Sequence, residues 1–253
     1  MKIKDIIFKI ESLSFKEALE YVVEKSQKSD KKTFIITVNP EIAMLALKDA
    51  EYEKVLKSAD LALADGIGII WAGNMFGKSF KGRVHGVDLV DVLAKEVAEK
   101  PITVGFLGGS ENVAQRTVDC LTKKYPELKV AFALEEWPKD ESRIKNQELS
   151  SSTHNSEPII HNSRLKCDIL FVAFGSPKQE KWIYDHMKEI DARVFIGVGG
   201  AFDFISGRVI RAPLFVRNIG LEWLFRLIIQ PWRIKRQFAL VKFVFQVLRE
   251  KLK

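Results

Sequence analysis

Short apolar runs alternate with amphipathic segments through the first 200 residues. The runs are rich in β-branched and aromatic residues, which is typical of buried strands, and the segments between them have helical periodicity. We expect strands at residues 5–10, 33–38, 59–64, 102–107, 128–132, 168–173 and 193–198. Strands that alternate with helices predict an α/β fold, with a mostly parallel, Rossmann-like sheet and helices on both of its faces.

The pattern changes after residue 207. Residues 218–229 read as an apolar helix that Pro231 ends or kinks. Beyond it, Lys235, Lys242 and Arg249 recur every seven residues on an otherwise apolar surface. A narrow basic stripe on a broad apolar helix predicts binding at a membrane interface, and the alternative is a helix packed on the core or on a dimer partner. We therefore divide the chain into an α/β domain, residues 1–207, and a helical membrane-binding appendage, residues 208–253.

Charge strengthens this division. Of 40 Lys and Arg residues, 11 fall in residues 208–253, beside two of the 33 acidic residues. The appendage is strongly cationic and the rest is close to neutral, which indicates an anionic partner for the appendage. Nucleic acid is disfavoured, because a helix that follows phosphates does not need so broad an apolar face.

The chain lacks signals for export or membrane insertion. Its first ten residues have no apolar signal-peptide core, and no stretch of about 20 residues is free of charge. Cys120 and Cys167 lie in no ligand-like cluster, so we expect reduced thiols in the cytoplasm.

The last residues of the predicted strands and the turns after them contain several polar and small residues. Because the carboxyl ends of parallel strands share one edge of the sheet, we expect these residues to cluster there. They are Thr37, Asn39, Asp65, Gly108, Gly109, Gln179 and Asp203. Asp65 can be a helix N-cap or a carboxylate that accepts a proton from a substrate, and the polar groups gathered around it favour the second role.

Other candidate chemistry is weaker. The glycine pairs after residues 107 and 198 match neither the dinucleotide fingerprint nor a P-loop, although glycine at a helix start admits a phosphate. This disfavours a nicotinamide-dependent oxidoreductase. The four histidines are scattered and no Asp-x-Asp is present, so we expect no metal and no cofactor, and Arg83 becomes the candidate to neutralise phosphate. Gln179 by itself is more typical of a helix surface.

Seven ordered motifs together resemble one known family. They are TVNPE at 37–41, ADGIG at 64–68, RVHGVDL at 83–89, GSPKQE at 175–180, GVGGAFD at 197–203, RAP at 211–213 and LEWLFR at 221–226. The chain resembles the WecG/TagA/CpsF glycosyltransferases over nearly its whole length, and within them the TagA-type N-acetylmannosaminyltransferases of wall teichoic acid synthesis.

The resemblance implies a reaction. N-acetylmannosamine would pass, with inversion and without metal, from its UDP donor to the 4-hydroxyl of N-acetylglucosamine on undecaprenyl diphosphate. The enzyme would be cytoplasmic and peripheral on the inner face of the cell membrane. A lipid-linked acceptor agrees with the cationic, apolar tail, and a diphosphate leaving group without a metal agrees with the arginines.

The resemblance also implies roles for single residues. Asp65 would be the general base, Thr37 and Asn39 would position the sugar or the acceptor, and Gln179 would line the same pocket. Asp203 would contact the nucleoside. The arginines that would face the diphosphates are Arg83, Arg226, Arg233 and Arg236, and the binding residues also include Gly108 and Gly109.

One region departs from the family pattern. Residues 133–137 read ALEEW, where the family usually has a His-Gly-Tyr-Phe-like turn, and residues 150–163 form an unusually long polar segment. The donor sugar is therefore left open, with UDP-N-acetylmannosaminuronate as one alternative. A non-catalytic membrane adaptor that senses nucleotides is the alternative from another class, and the sequence does not decide whether the chain forms a homo-oligomer.

Overall fold

The computed structural model describes residues 1–28, 31–138 and 165–253, without the side chains of Lys28, Arg233, Lys235, Arg236 and Gln237. The strands are β1 Thr33–Val38, β2 Leu61–Ala64, β3 Thr103–Gly108, β4 Lys129–Leu134, β5 Lys166–Ala173 and β6 Asp191–Gly197. Around the amino-terminal half lie the helices α1 Ile3–Lys9, α2 Phe15–Lys28, α3 Pro40–Ala46, α4 Ala50–Ser58, α5 Ile67–Phe76, α6 Gly86–Ala98 and α7 Val113–Lys124. The later helices are α8 Lys178–His186, α9 Ala201–Ile205, α10 Leu214–Asn218, α11 Glu222–Ile229 and α12 Ile234–Lys251, with a 3-10 turn at Pro231–Arg233.

The six described strands form one parallel sheet in the order β2-β1-β6-β5-β3-β4. The predicted α/β architecture with a parallel sheet is confirmed. All carboxyl ends of these strands therefore open on one edge, which is the edge that the sequence predicts for the site.

Two apolar layers cover the faces of the sheet. One layer joins the sheet to α1, α3, α4, α5, α8 and α12, and the other joins it to α2, α6, α7 and α9. Central strands such as β1 are buried on both faces, which explains their continuous apolar sequence. Helices on both faces are thus also confirmed.

The predicted first strand at residues 5–10 is wrong. The segment forms α1, and Ile3, Ile6, Ile7 and Ile10 are all buried. Their spacing of three and four residues is the period of a helix. The adjacent Ile6 and Ile7 give a short apolar run, which is also typical of a buried strand. The sequence pattern also failed to reveal α4. The helix predicted at residues 139–149 and the polar loop after it lie outside the described residues.

The last helix, α12, packs against the α/β part of the chain. Phe243 and Val247 of α12 are fully buried against the layer that contains α1, α3 and α5. The Glu250 carboxylate accepts hydrogen bonds from the backbone N–H groups of Ile3 and Lys4, both at 3.0 Å. The core-packed alternative therefore holds for one side of α12. None of the described helices is long and apolar enough to cross a bilayer.

Candidate active site

Asp65 follows β2 at the carboxyl edge of the sheet, and it is not a helix cap. The residue at the N-cap of α5 is Gly66, whose φ of 85° suits glycine, and no side chain caps that helix. Instead, Oδ1 of Asp65 lies 2.7 Å from Nδ1 of His85, and both side chains are 22% exposed. The carboxylate is therefore held at the site by a side chain and remains open to solvent.

His85 is a functional candidate that sequence reasoning missed. Burial, the largest single influence, lowers the pKa of His85, but the hydrogen bond to Asp65 and the negative charges of Asp65, Glu222 and Asp88 outweigh it and raise the pKa above 6.5. The available signal was a histidine directly before α6, within the RVHGVDL motif.

A charged network beside His85 connects α6 to the appendage, residues 208–253. Arg211 binds both carboxylate oxygens of Asp88, at 2.6 and 2.7 Å, and its Nε lies 3.5 Å from Glu222 at the start of α11. Arg217 lies 3.6 Å from Asp88. Burial, the largest single influence, acts to raise the pKa of Asp88, but Arg211, His85 and Arg217 together lower it below its ordinary value. These residues were not predicted, because their partners are distant in the sequence.

Arg83 holds a tail helix in this structure. Its Nη2 donates to the backbone carbonyls of Arg217 and Asn218, at 3.2 and 3.4 Å, at the carboxyl end of α10. A guanidinium at a helix carboxyl end satisfies unpaired carbonyls and complements the helix dipole. A contact of Arg83 with a diphosphate stays a prediction.

Thr37, Asn39 and Gln179 all lie at the predicted edge, and each is engaged with the protein. Thr37 is buried and donates to the carbonyl of Gly197 at 3.5 Å. Asn39 caps α3, as the sequence predicts, by accepting from Ile42 N at 3.0 Å.

Gln179 is only 2% exposed, so the expectation of a helix-surface residue is wrong. Its Oε1 accepts from the N–H groups of Gly175 and Gly199 at 3.1 and 2.9 Å, and its Nε2 donates to Glu180 at 2.6 Å. The Gln179 side chain therefore fixes the turns that follow β5 and β6.

An open cavity of about 610 Å³ lies over the carboxyl ends of β3 and β5. Three predicted site residues line it, Gly109, Asp203 and Arg226, together with Ser110, Ala173, Phe174, Arg208, Val209, Gln230 and Trp232. Asp203 lies 3.8 Å from Arg208. Two guanidiniums, a carboxylate and aromatic rings suit a nucleotide, whose phosphates need cations and whose base stacks on rings.

The predicted glycines have a steric reason at this cavity. Gly108 has a φ of 111°, and a Cβ there would lie 2.8 Å from the carbonyl carbon of Ala173. Gly109 follows with a φ of 83°. Tight strand-to-helix geometry thus explains both glycines, while only Gly109 reaches the cavity. The side chains of Arg233 and Arg236 lie outside the described part.

Helix α11 connects the two parts of the edge. Glu222 at its start belongs to the network around His85, whereas Arg226 and, after its end, Gln230 line the cavity. From Glu222 to Gln230 a helix rises about 12 Å. β2 and β5 are three strand spacings apart, or about 14 Å. The Asp65–His85 pair and the cavity therefore lie apart along one edge of the sheet, and together they form an elongated candidate site.

Metal and thiol chemistry add little to this site. In the ranges 1–28, 31–138 and 165–253, no three His, Cys, Asp or Glu side chains are grouped to hold a metal ion. His154 and His161 lie outside those ranges, so metal independence stays a prediction. Cys120 is exposed, Cys167 is buried, and both are unpaired thiols.

Comparison with known proteins gives a consistent picture. The sequence profile of the Glycosyl transferase WecG/TagA/CpsF family matches residues 3–253. A protein of Bacillus spizizenii is 34% identical over 220 residues, which cover 87% of this chain and 80% of that relative. A Bacillus subtilis protein is 34% identical over 216 residues, covering 85% and 79%. A Staphylococcus aureus protein is 29% identical over 233 residues, covering 90% and 84%. All three are named N-acetylglucosaminyldiphosphoundecaprenol N-acetyl-beta-D-mannosaminyltransferase.

Proposed function

The chain belongs to the WecG/TagA/CpsF family of glycosyltransferases, and we propose that it transfers N-acetylmannosamine from UDP-N-acetylmannosamine to N-acetylglucosaminyldiphosphoundecaprenol. The observation that carries this assignment is the name shared by relatives that are up to 34% identical over most of both chains. The product would be part of the linkage unit that joins a teichoic acid, or a similar polymer, to the cell wall.

The elongated site supports a single inverting displacement. The nucleotide of the donor occupies the cavity, with Arg226 and Arg208 beside the diphosphate and Asp203 toward the nucleoside. Positive charge there stabilises the departing UDP. The acceptor hydroxyl approaches the Asp65–His85 pair, which removes its proton as the glycosidic bond forms. Gln179, Thr37 and Asn39 hold the strand ends between these two groups.

Membrane docking is the second part of the proposal. Residues 1–207 act as the catalytic domain, and residues 208–253 bring it to the inner face of the cell membrane, where a polyprenyl acceptor lies. The described surface of this segment exposes many large apolar side chains, among them Leu214, Phe215, Ile219, Trp232, Phe238, Val241 and Phe245. Val241, Phe245 and Leu248 form a second apolar stripe on α12, away from buried Phe243 and Val247, and exposed Leu252 follows directly after the helix. Exposed apolar side chains within a cationic segment suit an anionic bilayer.

UDP release tests the reaction. The protein is mixed with a lipid-diphosphate N-acetylglucosamine acceptor and each of UDP-N-acetylmannosamine, UDP-N-acetylmannosaminuronate, UDP-N-acetylglucosamine and UDP-glucose. We expect acceptor-dependent release from UDP-N-acetylmannosamine alone. Release from UDP-N-acetylmannosaminuronate instead would change the donor, and donor binding without release in any mixture would favour the non-catalytic adaptor.

A further inference from the structure

The two ring nitrogens of His85 have different environments. Nδ1 lies 2.7 Å from a carboxylate oxygen of Asp65, so in the neutral ring Nδ1 carries the proton and donates it. Nε2 then carries the lone pair. In the described part of the chain Nε2 makes no hydrogen bond and is not fully buried, and the His85 side chain is 22% exposed. The structure thus presents a basic nitrogen at the mouth of the site.

We propose that Nε2 of His85 is the atom that takes the proton from the acceptor hydroxyl, while Asp65 orients the ring and stabilises its charged form. This inference rests on the proposed glycosyl transfer. The acceptor oxygen forms a bond to the anomeric carbon as the bond from that carbon to the UDP oxygen breaks. The electron pair leaves on UDP, and the hydroxyl proton moves to Nε2.

The assignment follows from how bases work near neutral pH. A general base is most effective when its pKa lies near the working pH, and an imidazole ordinarily titrates near 6.5 whereas a carboxyl group titrates near 4. Asp65 also has one oxygen engaged by the imidazole. A carboxylate in that position fixes the tautomer and orientation of a histidine base, as in carboxylate–histidine pairs generally.

The neighbouring charges determine where His85 titrates. Asp65 faces the ring from the end of β2, Asp88 from the first turn of α6 and Glu222 from the start of α11, and all three favour the charged ring. Arg211 binds Asp88 and Glu222, and Arg217 lies near Asp88, so part of that negative charge is compensated. Arg83, two residues before His85, is directed to the carbonyls of α10.

The test is the pH dependence of kcat/KM for UDP release by the full-length protein and three variants. His85→Asn keeps an N–H near the position of Nδ1 and removes Nε2, Asp65→Asn removes the carboxylate charge, and His186→Gln is the control. His186 lies on α8 and its Nδ1 is bonded to the carbonyl of Trp182 at 2.9 Å, away from Asp65.

We expect the wild-type rate to fall below an apparent pKa above 6.5. His85→Asn should lose about 10²–10⁴-fold in kcat/KM and lose that acid limb, because the titrating base is gone. In Asp65→Asn the limb should move to lower pH, since the charged ring loses its partner. His186→Gln should match the wild type. A limb near pH 4 in the wild type, or an unchanged limb in His85→Asn, would overturn the assignment to His85.

Two further measurements separate this inference from a structural role and from the proposed function. Thermal unfolding with and without UDP verifies that each variant folds and binds nucleotide, and His85→Gln replaces His85→Asn if that variant does not fold. Wild-type protein that releases no UDP at any pH contradicts the proposed function. UDP release with an acid limb that persists without His85 contradicts only the role of His85.

Discussion

The guanidinium of Arg226 lies against the α carbon of Gly200, so that a Cβ on Gly200 would be 2.9 Å from Nη2. This contact joins α11 of the tail to the turn between β6 and α9. The guanidinium carbon also lies 4.6 Å from the centre of the Phe204 ring. The position of a predicted diphosphate-binding arginine therefore depends on a glycine in the body of the protein.

Gly200→Ala should displace Arg226 and weaken donor binding. Gly200 has a φ of −81°, which alanine adopts without strain, so the added methyl group conflicts mainly with the end of the Arg226 side chain. We expect UDP to bind about tenfold more weakly, the scale of one impaired charge-assisted hydrogen bond. Isothermal titration with UDP measures it. Gly82→Ala is the control, because a Cβ there meets no atom within 4 Å, and equal losses in both variants would contradict the prediction.

Asp65→Asn should lower turnover strongly and leave nucleotide binding nearly unchanged. Asp65 lies at the other end of the site from Asp203 and Arg226, so UDP affinity should stay within about twofold while kcat falls about 10²–10⁴-fold. UDP release and a UDP-dependent thermal shift report the two quantities. Asp191→Asn, at the opposite edge of the sheet at the start of β6, should leave both unchanged. Near-normal turnover of Asp65→Asn would remove this residue from the proton-accepting pair.

Gln179→Ala should destabilise the fold. The substitution leaves the partly buried N–H groups of Gly175 and Gly199 without their acceptor and removes a donor to the buried Glu180 carboxylate. An unsatisfied buried polar group costs about 1–3 kcal/mol. Urea unfolding should show a loss of about 2–4 kcal/mol in the free energy of unfolding. Gln115→Ala, an exposed residue bonded to Asp119 on α7, should change it by about 0.5 kcal/mol or less. Equal losses would mean that the two turns do not depend on Gln179.

The Asp65–His85 pair should make stability depend on pH in a defined direction. Because the pKa of His85 is higher in the folded protein than its ordinary 6.5, the folded state binds the proton more tightly. The stabilisation is complete below pH 6.5 and is lost as the pH rises through the folded-state pKa. The difference in unfolding free energy between the wild type and Asp65→Asn should therefore be larger at pH 5.5 than at pH 9. A difference that grows with pH would contradict this direction.

The exposed apolar surface of the tail should carry membrane binding. Deleting residues 208–253 is a poor test, because it would remove Phe243 and Val247 from the core. A triple variant, Phe215→Ser, Phe238→Ser and Phe245→Ser, changes only exposed side chains that do not line the cavity. Each side chain that no longer inserts into the bilayer removes about 1.5–3 kcal/mol of membrane-binding free energy. Co-sedimentation with anionic vesicles should therefore fall more than tenfold, while UDP binding is retained.

A control for surface apolarity in general is Tyr184→Ser, an exposed aromatic residue on α8. It should leave sedimentation with vesicles unchanged. Undiminished sedimentation of the triple variant would contradict docking through these three side chains.

The sequence predicted the parts of the fold that depend on local pattern. The strand at Thr33–Val38 and the cap at Asn39 depend on neighbouring residues, and both were predicted correctly. Helix α1 was mistaken for a strand because Ile6 and Ile7 are adjacent. In α4 only Tyr52, Val55 and Leu56 are buried among charged residues, which leaves a faint apolar face.

The site was predictable only one residue at a time. Asp65 and Asp203 lie at the predicted edge because strand ends in a parallel sheet converge. The roles of His85 and Arg211 were not predicted, because their partners Asp65 and Asp88 lie 20 and 123 positions away in the sequence. Such pairs form only when the chain is folded, and the local pattern of a single sequence does not predict them.

The order of the strands has a consequence for substrate length. Three strand spacings, about 14 Å, separate the end of β2, which Asp65 follows, from the end of β5, over which the cavity lies. The order of the strands therefore sets the distance between the two parts of the candidate site. If the donor nucleotide binds in the cavity and the acceptor binds beside Asp65, as proposed, the phosphate linker of the donor must span this distance. A sugar joined to a nucleoside monophosphate is then expected to bind without being transferred.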